Sequence, residues 1–213
     1  MGFDERVHIL ESAKGAYAYL VEAREKLLVD TSFPWQGRAI VEELVSMKVA
    51  LTDIKHILLT HYDIDHVGNA VLLQRLSGAI LWASATEIPY ITGRIPRPGF
   101  KKYLPRILGY EAPCEIRAYE DGFPLAEIEL APTPGHTPGH ACILFGDLLF
   151  AGDIVENHRG NLRPYPAFWN WNDAMMRDSI RELSKLPFRW ICPAHGRPLP
   201  RHDAWEEMMV HLA

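Results

Sequence analysis

The segment THYDIDHVG, Thr60 to Gly68, sets two imidazoles and two carboxylates, His61, Asp63, Asp65 and His66, within six positions, directly after the apolar run HILLT. Such groups are costly to bury unless something compensates them, and a multivalent cation is the obvious compensation. Three further apolar runs end in the same chemistry: IELAPTPG leads to His136, LLFAG to Asp153 and FRWICPA to His195. A strand's exit is a rigid support, so four runs that each deliver an imidazole or carboxylate there predict a metal site. These donors suit Zn, Fe or Mn. Seven of them exceed what one tetrahedral ion takes, which makes two ions the economical expectation.

The elements that must position these residues alternate between strand and helix. AYAYLVE (16–22) and KLLVD (26–30) predict an antiparallel pair turning near Arg24. AIVEELVSM places Ile40, Val41, Leu44 and Val45 on one helical face, and residues 51–60 return to a strand. GNAVLLQRLSG predicts a helix closed by Gly78, and AILWA a strand parallel to its predecessor. After Ser84 the chain is rich in Pro, Gly and aromatics, the composition of an ordered cover loop. From Glu115 a second sheet is expected, built from EIRAY, AEIELAP and the pair ACILF and LLFAG, which Gly146 and Asp147 join as a hairpin. DAMMRDSIRELSKL predicts a helix, FRWICPAHG a last strand and DAWEEMMVHL a closing helix. Two sheets between helical layers, in one domain over residues 1–213, follow.

In order and spacing these segments resemble the metallo-β-lactamase superfamily. THYDIDHVG resembles its H-x-H-x-D-H signature, GHTPGH (135–140) its second histidine motif, FAGD its bridging aspartate and PAHG its last histidine. The resemblance implies an α/β fold, an αβ/βα four-layer sandwich of two mixed β-sheets flanked by helices, with a binuclear centre. It implies one ion on His61, Asp63 and His136, a second on Asp65, His66 and His195, and Asp153 bridging. It also gives Asp30 the place of a buried aspartate that braces the motif loop. His140, four residues after His136 at the opening of ACILF, reads on its own position as a hydrogen-bonding support for the His136 loop rather than a ligand. Two departures stand out: Asp63 where the family has His, and Asn69 where it has a second Gly. Two divalent ions are expected, zinc first, while the harder, charged donor at Asp63 moves the site toward Fe or Mn.

Hydrolysis of an ester, lactone or thioester is the leading expectation, with two cations generating a hydroxide at neutral pH and Asp65 and Asp153 as the catalytic carboxylates. The rival readings are a diiron oxygen or nitric oxide reductase, motivated by Asp63 but lacking an electron donor in this chain, and a non-catalytic metal-binding protein. Asp65 alone would also serve as a helix N-cap, as would Asn170 or Asn172 for the helix after YPAFWNWN. Tyr90, Phe100 and Tyr103 of the cover loop, with His158, Trp169 and Trp171, are the candidate substrate-pocket residues. His8, His56, His202 and His211 belong to no constellation and read as surface or core residues.

Composition narrows the partners. Lys and Arg number 22 against 27 Asp and Glu, a net charge of -5, so there is no global positive field for nucleic acid or an anionic membrane. The N-terminal residues carry no apolar leader pattern and no run is long enough to span a bilayer, which gives a cytoplasmic expectation; the expected hydrolase chemistry gives a small-molecule substrate. An oligomer is compatible with the sequence. Cys114, Cys142 and Cys192 lack C-x-x-C spacing and read as reduced, mostly buried thiols.

Overall fold

The structure, a computed structural model, describes residues 2–210 and residue 212, and divides into two compact units, Met1–Leu125 and Ala126–Ala213. His211 lies outside the described residues.

The first unit contains β1 (Val7–Leu10), β2 (Ala18–Glu22), β3 (Lys26–Val29), α1 (Gly37–Ser46), β4 (Ile54–Leu58), α2 (Ile64–Val67), α3 (Ala70–Ser77), β5 (Ile80–Ala83), α4 (Ile88–Ile91), α5 (Leu104–Ile107) and β6 (Arg117–Ala118). Its sheet runs β1-β2-β3-β4-β5-β6, antiparallel from β1 to β3 and parallel from β3 onward. Ile40 and Leu44 of α1 and Ala70 and Leu73 of α3 pack with Leu20, Leu28, Ile57 and Leu81 of the strands, which is why these apolar residues recur at helical spacing in one case and in short runs in the other. Gly78 ends α3 in the left-handed conformation, φ +74°, as the sequence predicts.

Three features of this unit differ from expectation. VHIL forms β1, too short and too mixed to announce itself, and its backbone is satisfied by β2. EIRAY does not begin the second sheet: only Arg117–Ala118 is extended, and it adds to β5 as the edge of the first sheet before Tyr119 turns into a 3-10 helix. The cover segment is not wholly irregular either. It contains α4, a 3-10 helix at Gly99–Tyr103 and α5, and Pro89 and Pro105 sit in the first turns of α4 and α5, where a missing N–H costs nothing.

The second unit contains β7 (Ile128–Pro132), β8 (Ala141–Phe145), β9 (Leu148–Gly152), β10 (Val155–His158), β11 (Asn161–Pro164), α6 (Asp173–Leu183), β12 (Trp190–Pro193), β13 (Leu199–Pro200) and α7 (His202–Val210). The sheet runs β13-β12-β9-β8-β7, and β10 with β11 forms a separate hairpin that the sequence did not announce. The expected β8–β9 hairpin is present, with Gly146 at φ +55° in the first central position, as a type II′ turn requires. Met176, Ile180 and Leu183 of α6 and Trp205 and Met208 of α7 share a core with Leu144, Leu149 and Ile191. The fold is α/β with two mixed sheets and helices.

Cys142 and Cys192 are buried and Cys114 is exposed. Burial raises the Cys142 thiol to about 12, against the lowering effect of a hydrogen bond with Thr133, and burial pushes Cys192 up as well. Both therefore stay protonated thiols. A thiol-specific chromogenic reagent should react rapidly with one thiol per native chain, Cys114, and with Cys142 and Cys192 only after unfolding. Fast reaction at either buried position would contradict the packing.

Candidate metal centre

In the first unit, β3 and β4 are parallel neighbours, so the residues that follow them leave the sheet at one edge. Asp30 follows β3, and Thr60 and His61 lie just beyond β4. Asp30 is buried; its Oδ1 accepts from the Thr60 N–H at 2.8 Å, and its Oδ2 accepts from the Thr60 hydroxyl at 2.8 Å and from His66 Nδ1 at 2.7 Å. These bonds tie Asp30 to both ends of the motif loop. Thr31 and Asn69 extend this network. The Thr31 hydroxyl donates to the His66 carbonyl at 2.8 Å, and the Asn69 amide donates to the carbonyls of Thr31 and Phe33, each at 2.6 Å. Asn69, the departure from the double glycine, thus ties α2 to the chain after β3. Gly68 allows that approach, since a Cβ there would collide with the Ser32 carbonyl oxygen and Pro34.

Asp65 is not the N-cap of α2; Asp63 occupies that position without a side-chain cap bond, and Asp65 lies in the first turn. Its Oδ2 is 3.9 Å from His66 Nε2, and Asp63 Oδ2 is 3.7 Å from His61 Nε2. Asp63 Oδ2 also accepts from the Lys101 ammonium at 2.5 Å. This partner was not foreseen, because it comes from the cover segment 38 residues away and carries no motif. A buried carboxylate, Glu87, accepts from the Tyr62 N–H at 2.8 Å and fixes the motif backbone.

In the second unit β7, β9 and β12 run in the same direction and end at one sheet edge, because β8 is antiparallel to both β7 and β9 while β12 is parallel to β9. His136, Asp153 and His195 follow those ends. The Asp153 carboxylate, buried, lies between the two imidazoles: Oδ2 is 3.6 Å from His136 Nε2 and Oδ1 is 3.3 Å from His195 Nε2. His140 supports this loop, accepting the Asp153 N–H on Nε2 at 3.2 Å and pairing Nδ1 with the Thr133 hydroxyl at 2.8 Å. The Tyr165 ring packs on both His136, at 5.0 Å, and His195, at 5.2 Å. Asn170 is not the cap of α6; Asn172 is, accepting from the Met175 N–H. Asn170 instead accepts on Oδ1 from His136 Nδ1 at 2.9 Å. Gly135 lets the His136 loop approach α6, where a Cβ would meet the Met176 backbone.

The hydrogen bonds fix the tautomers. His66 donates Nδ1–H to Asp30 and His136 donates Nδ1–H to Asn170. The Thr60 hydroxyl, committed to Asp30, accepts from His61 Nδ1 at 3.0 Å. Each Nε2 then bears a lone pair that faces a carboxylate oxygen across 3.6–3.9 Å. Lone pair against anion is repulsive unless a cation lies between. Two donors about 2.1 Å from one tetrahedral ion stand about 3.4 Å apart, close to these separations, so the residues fit a divalent metal.

The other predicted positions are less concentrated. Tyr90 is half-buried, its ring 5.0 Å from that of Tyr62. Phe100, Tyr103, Trp169 and Trp171 are exposed, and so is His158 at the end of β10. His56 is a core histidine between Glu25 and the Trp82 indole, His8 pairs with Glu22 at the surface, and His202 opens α7.

A family model described as the metallo-β-lactamase superfamily matches residues 13–195. The probable metallo-hydrolase YflN of Bacillus subtilis is 26% identical, over 89% of this chain and 86% of that protein. The probable polyketide biosynthesis zinc-dependent hydrolase BaeB of Bacillus velezensis is 33% identical over 65% of this chain, which spans 55% of that relative. A solved B3 metallo-β-lactamase with an active-site glutamic acid has a TM-score of 0.73 at 21% identity, covering 97% of this chain and 84% of its own, a likeness of fold. This chain belongs to the metallo-β-lactamase superfamily and is a hydrolase of that family.

Proposed function

We propose that residues 1–213 act as one metallo-β-lactamase-like domain in which the donors of both units together hold two divalent ions and hydrolyse an ester, lactone or thioester. His61, Asp63 and His136 would hold one ion and Asp65, His66 and His195 the other. The observation that carries this reading is Asp153, which aims one oxygen at each of His136 and His195, the arrangement of a carboxylate shared by two cations. Two such ions supply, when bound, an acidified water as nucleophile and polarise the scissile carbonyl.

The protein's own contribution is position and proton handling. Asp153 is 2% exposed and holds; Asp65, at 18%, meets solvent and is the group to take the nucleophile's proton and return it to the leaving group. Zinc is favoured over Fe or Mn because the Lys101 ammonium balances the extra charge of Asp63, so the argument for a harder ion loses force. The word zinc in the name of the polyketide-pathway relative points the same way. Tyr90, Phe100, Tyr103, Trp169 and Trp171, with His158, are proposed to line the substrate's path, which suits an apolar acyl or leaving group. A cytoplasmic location, in one or more copies, is proposed with it; the net charge of -5 speaks against nucleic acid or an anionic membrane as partner. Among the described residues no helix is long and apolar enough to cross a membrane.

Elemental analysis of protein purified without added metal should find about two Zn per chain. A panel of activated esters, lactones and thioesters should then show turnover that chelation abolishes and zinc restores. A metal-loaded chain inert toward all three classes would overturn the proposed substrate class, and two iron ions with reductant-dependent oxygen consumption would overturn the hydrolytic chemistry.

A further inference from the structure

Arg97 is 3% exposed, and none of its three guanidinium nitrogens makes a well-formed hydrogen bond among the described residues. Its neighbours are aromatic: the Tyr110 ring at 4.9 Å and the Tyr62 ring at 5.8 Å. Burial disfavours its charge, while the Tyr110 hydroxyl, a loose hydrogen-bond partner, and the Asp63 carboxylate favour it. A buried guanidinium without a bonded anion is a costly arrangement that a purely structural residue would avoid. The backbone is built to hold it there, since Pro96 and Pro98 flank Arg97 and restrict both its own and its neighbour's conformations.

A second cation comes to the same place. Lys101 is 5% exposed, and its ammonium lies 5.8 Å from the Tyr62 ring centroid, the same ring that Arg97 approaches, while it bonds Asp63. Two buried cations of the cover segment thus meet at Tyr62, the residue between the candidate ligands His61 and Asp63.

We propose that Arg97 and Lys101 form an anion-binding subsite for a carboxylate carried by the substrate, beside Asp63. The planar guanidinium fork matches a carboxylate's two oxygens, and Lys101 supplies a point charge at its side. An ion bound at Asp63 would share that carboxylate's charge and leave the ammonium more of its own to offer. The location relative to the reaction rests on the metallohydrolase reading; the binding itself does not. The subsite makes the expected apolar substrate amphiphilic, with an acidic group seated under the cover segment.

The test is calorimetric titration of the metal-loaded full chain with succinate, its neutral analogue succinamide and inorganic phosphate, for the natural protein, Arg97→Gln and Arg97→Lys. Metal content and melting temperature are followed in parallel. Succinate should bind the natural protein and raise its melting temperature, succinamide should not bind, and Arg97→Gln should weaken succinate by about tenfold to a hundredfold at unchanged metal content. Arg97→Lys should recover part of the affinity. Without probe, Arg97→Gln should melt no lower than the natural protein, because a buried uncompensated charge has been removed. Succinate binding that is absent, or equal in the natural protein and both variants, would overturn the proposal, the latter assigning the anion to the metal alone. An Arg97-dependent preference for phosphate would overturn the carboxylate assignment. Turnover plays no part in this readout, so an inert enzyme that binds succinate through Arg97 would count against the hydrolase reading only.

Discussion

Asp153→Ala should give a chain that folds, retains about one divalent ion or none, and turns over its substrate about a thousandfold more slowly, the scale of losing several kcal/mol of charge stabilisation. The substitution spares the fold because the loop is held through the backbone. The Asp153 N–H that donates to His140 Nε2 survives in alanine, and so does the packing of Tyr165 on His136 and His195. It strikes the metal because the carboxylate is buried between two imidazoles, with one oxygen near each. Removing a buried anion also removes its desolvation cost, so in the presence of chelator the variant should melt at least as high as the natural protein. With zinc present the order should reverse, since the natural chain binds more metal, and binds it more tightly, and so gains the larger linkage stabilisation. Elemental analysis and melting curves with and without chelator decide the matter. Two retained ions and near-normal turnover would remove Asp153 from the bridging role.

The candidate ligands are legible in the sequence because their chemistry is local: an imidazole or carboxylate at the end of an apolar run announces both its type and its support. His61, His136, Asp153 and His195 all lie within a few residues of a strand's end for that reason. What surrounds them was less legible. Asn170 reads as a helix cap by position, yet its amide orients His136, and the cap falls to Asn172. Lys101 and Arg97 sit in a segment whose composition says only that it covers something; that they are buried at the Tyr62 ring is set by tertiary packing. EIRAY has the composition of a strand but yields only two paired residues, because what it can join is the edge of the first sheet beside β5. Periodicity names an element's type and leaves its partner to the fold.

Asp30→Ala should lower both stability and metal affinity, by about 3–9 kcal/mol and by about 10- to 100-fold respectively. Three donors converge on this one carboxylate, the Thr60 N–H, the Thr60 hydroxyl and His66 Nδ1–H, all in a buried environment. Alanine leaves each without its acceptor, at about 1–3 kcal/mol apiece, a large part of a domain's net stability of about 5–15 kcal/mol. The backbone adds to this. Asp30 has φ +58°, a left-handed conformation that Asp and Asn tolerate and alanine resists. The loss reaches the metal because Asp30 holds the His66 tautomer directly and that of His61 through Thr60; without it each ring is free to present N–H rather than a lone pair toward its carboxylate. Asp30→Asn separates the two effects. Its amide keeps one acceptor and the left-handed backbone, so stability should recover by about half, while its NH2 must face a donor and the affinity for zinc should remain depressed. Denaturant titration of the metal-free variants and zinc competition against a chromogenic chelator measure the two quantities separately. An alanine variant that loses stability but binds zinc normally would show that Asp30 braces the loop without setting the ligands' protons.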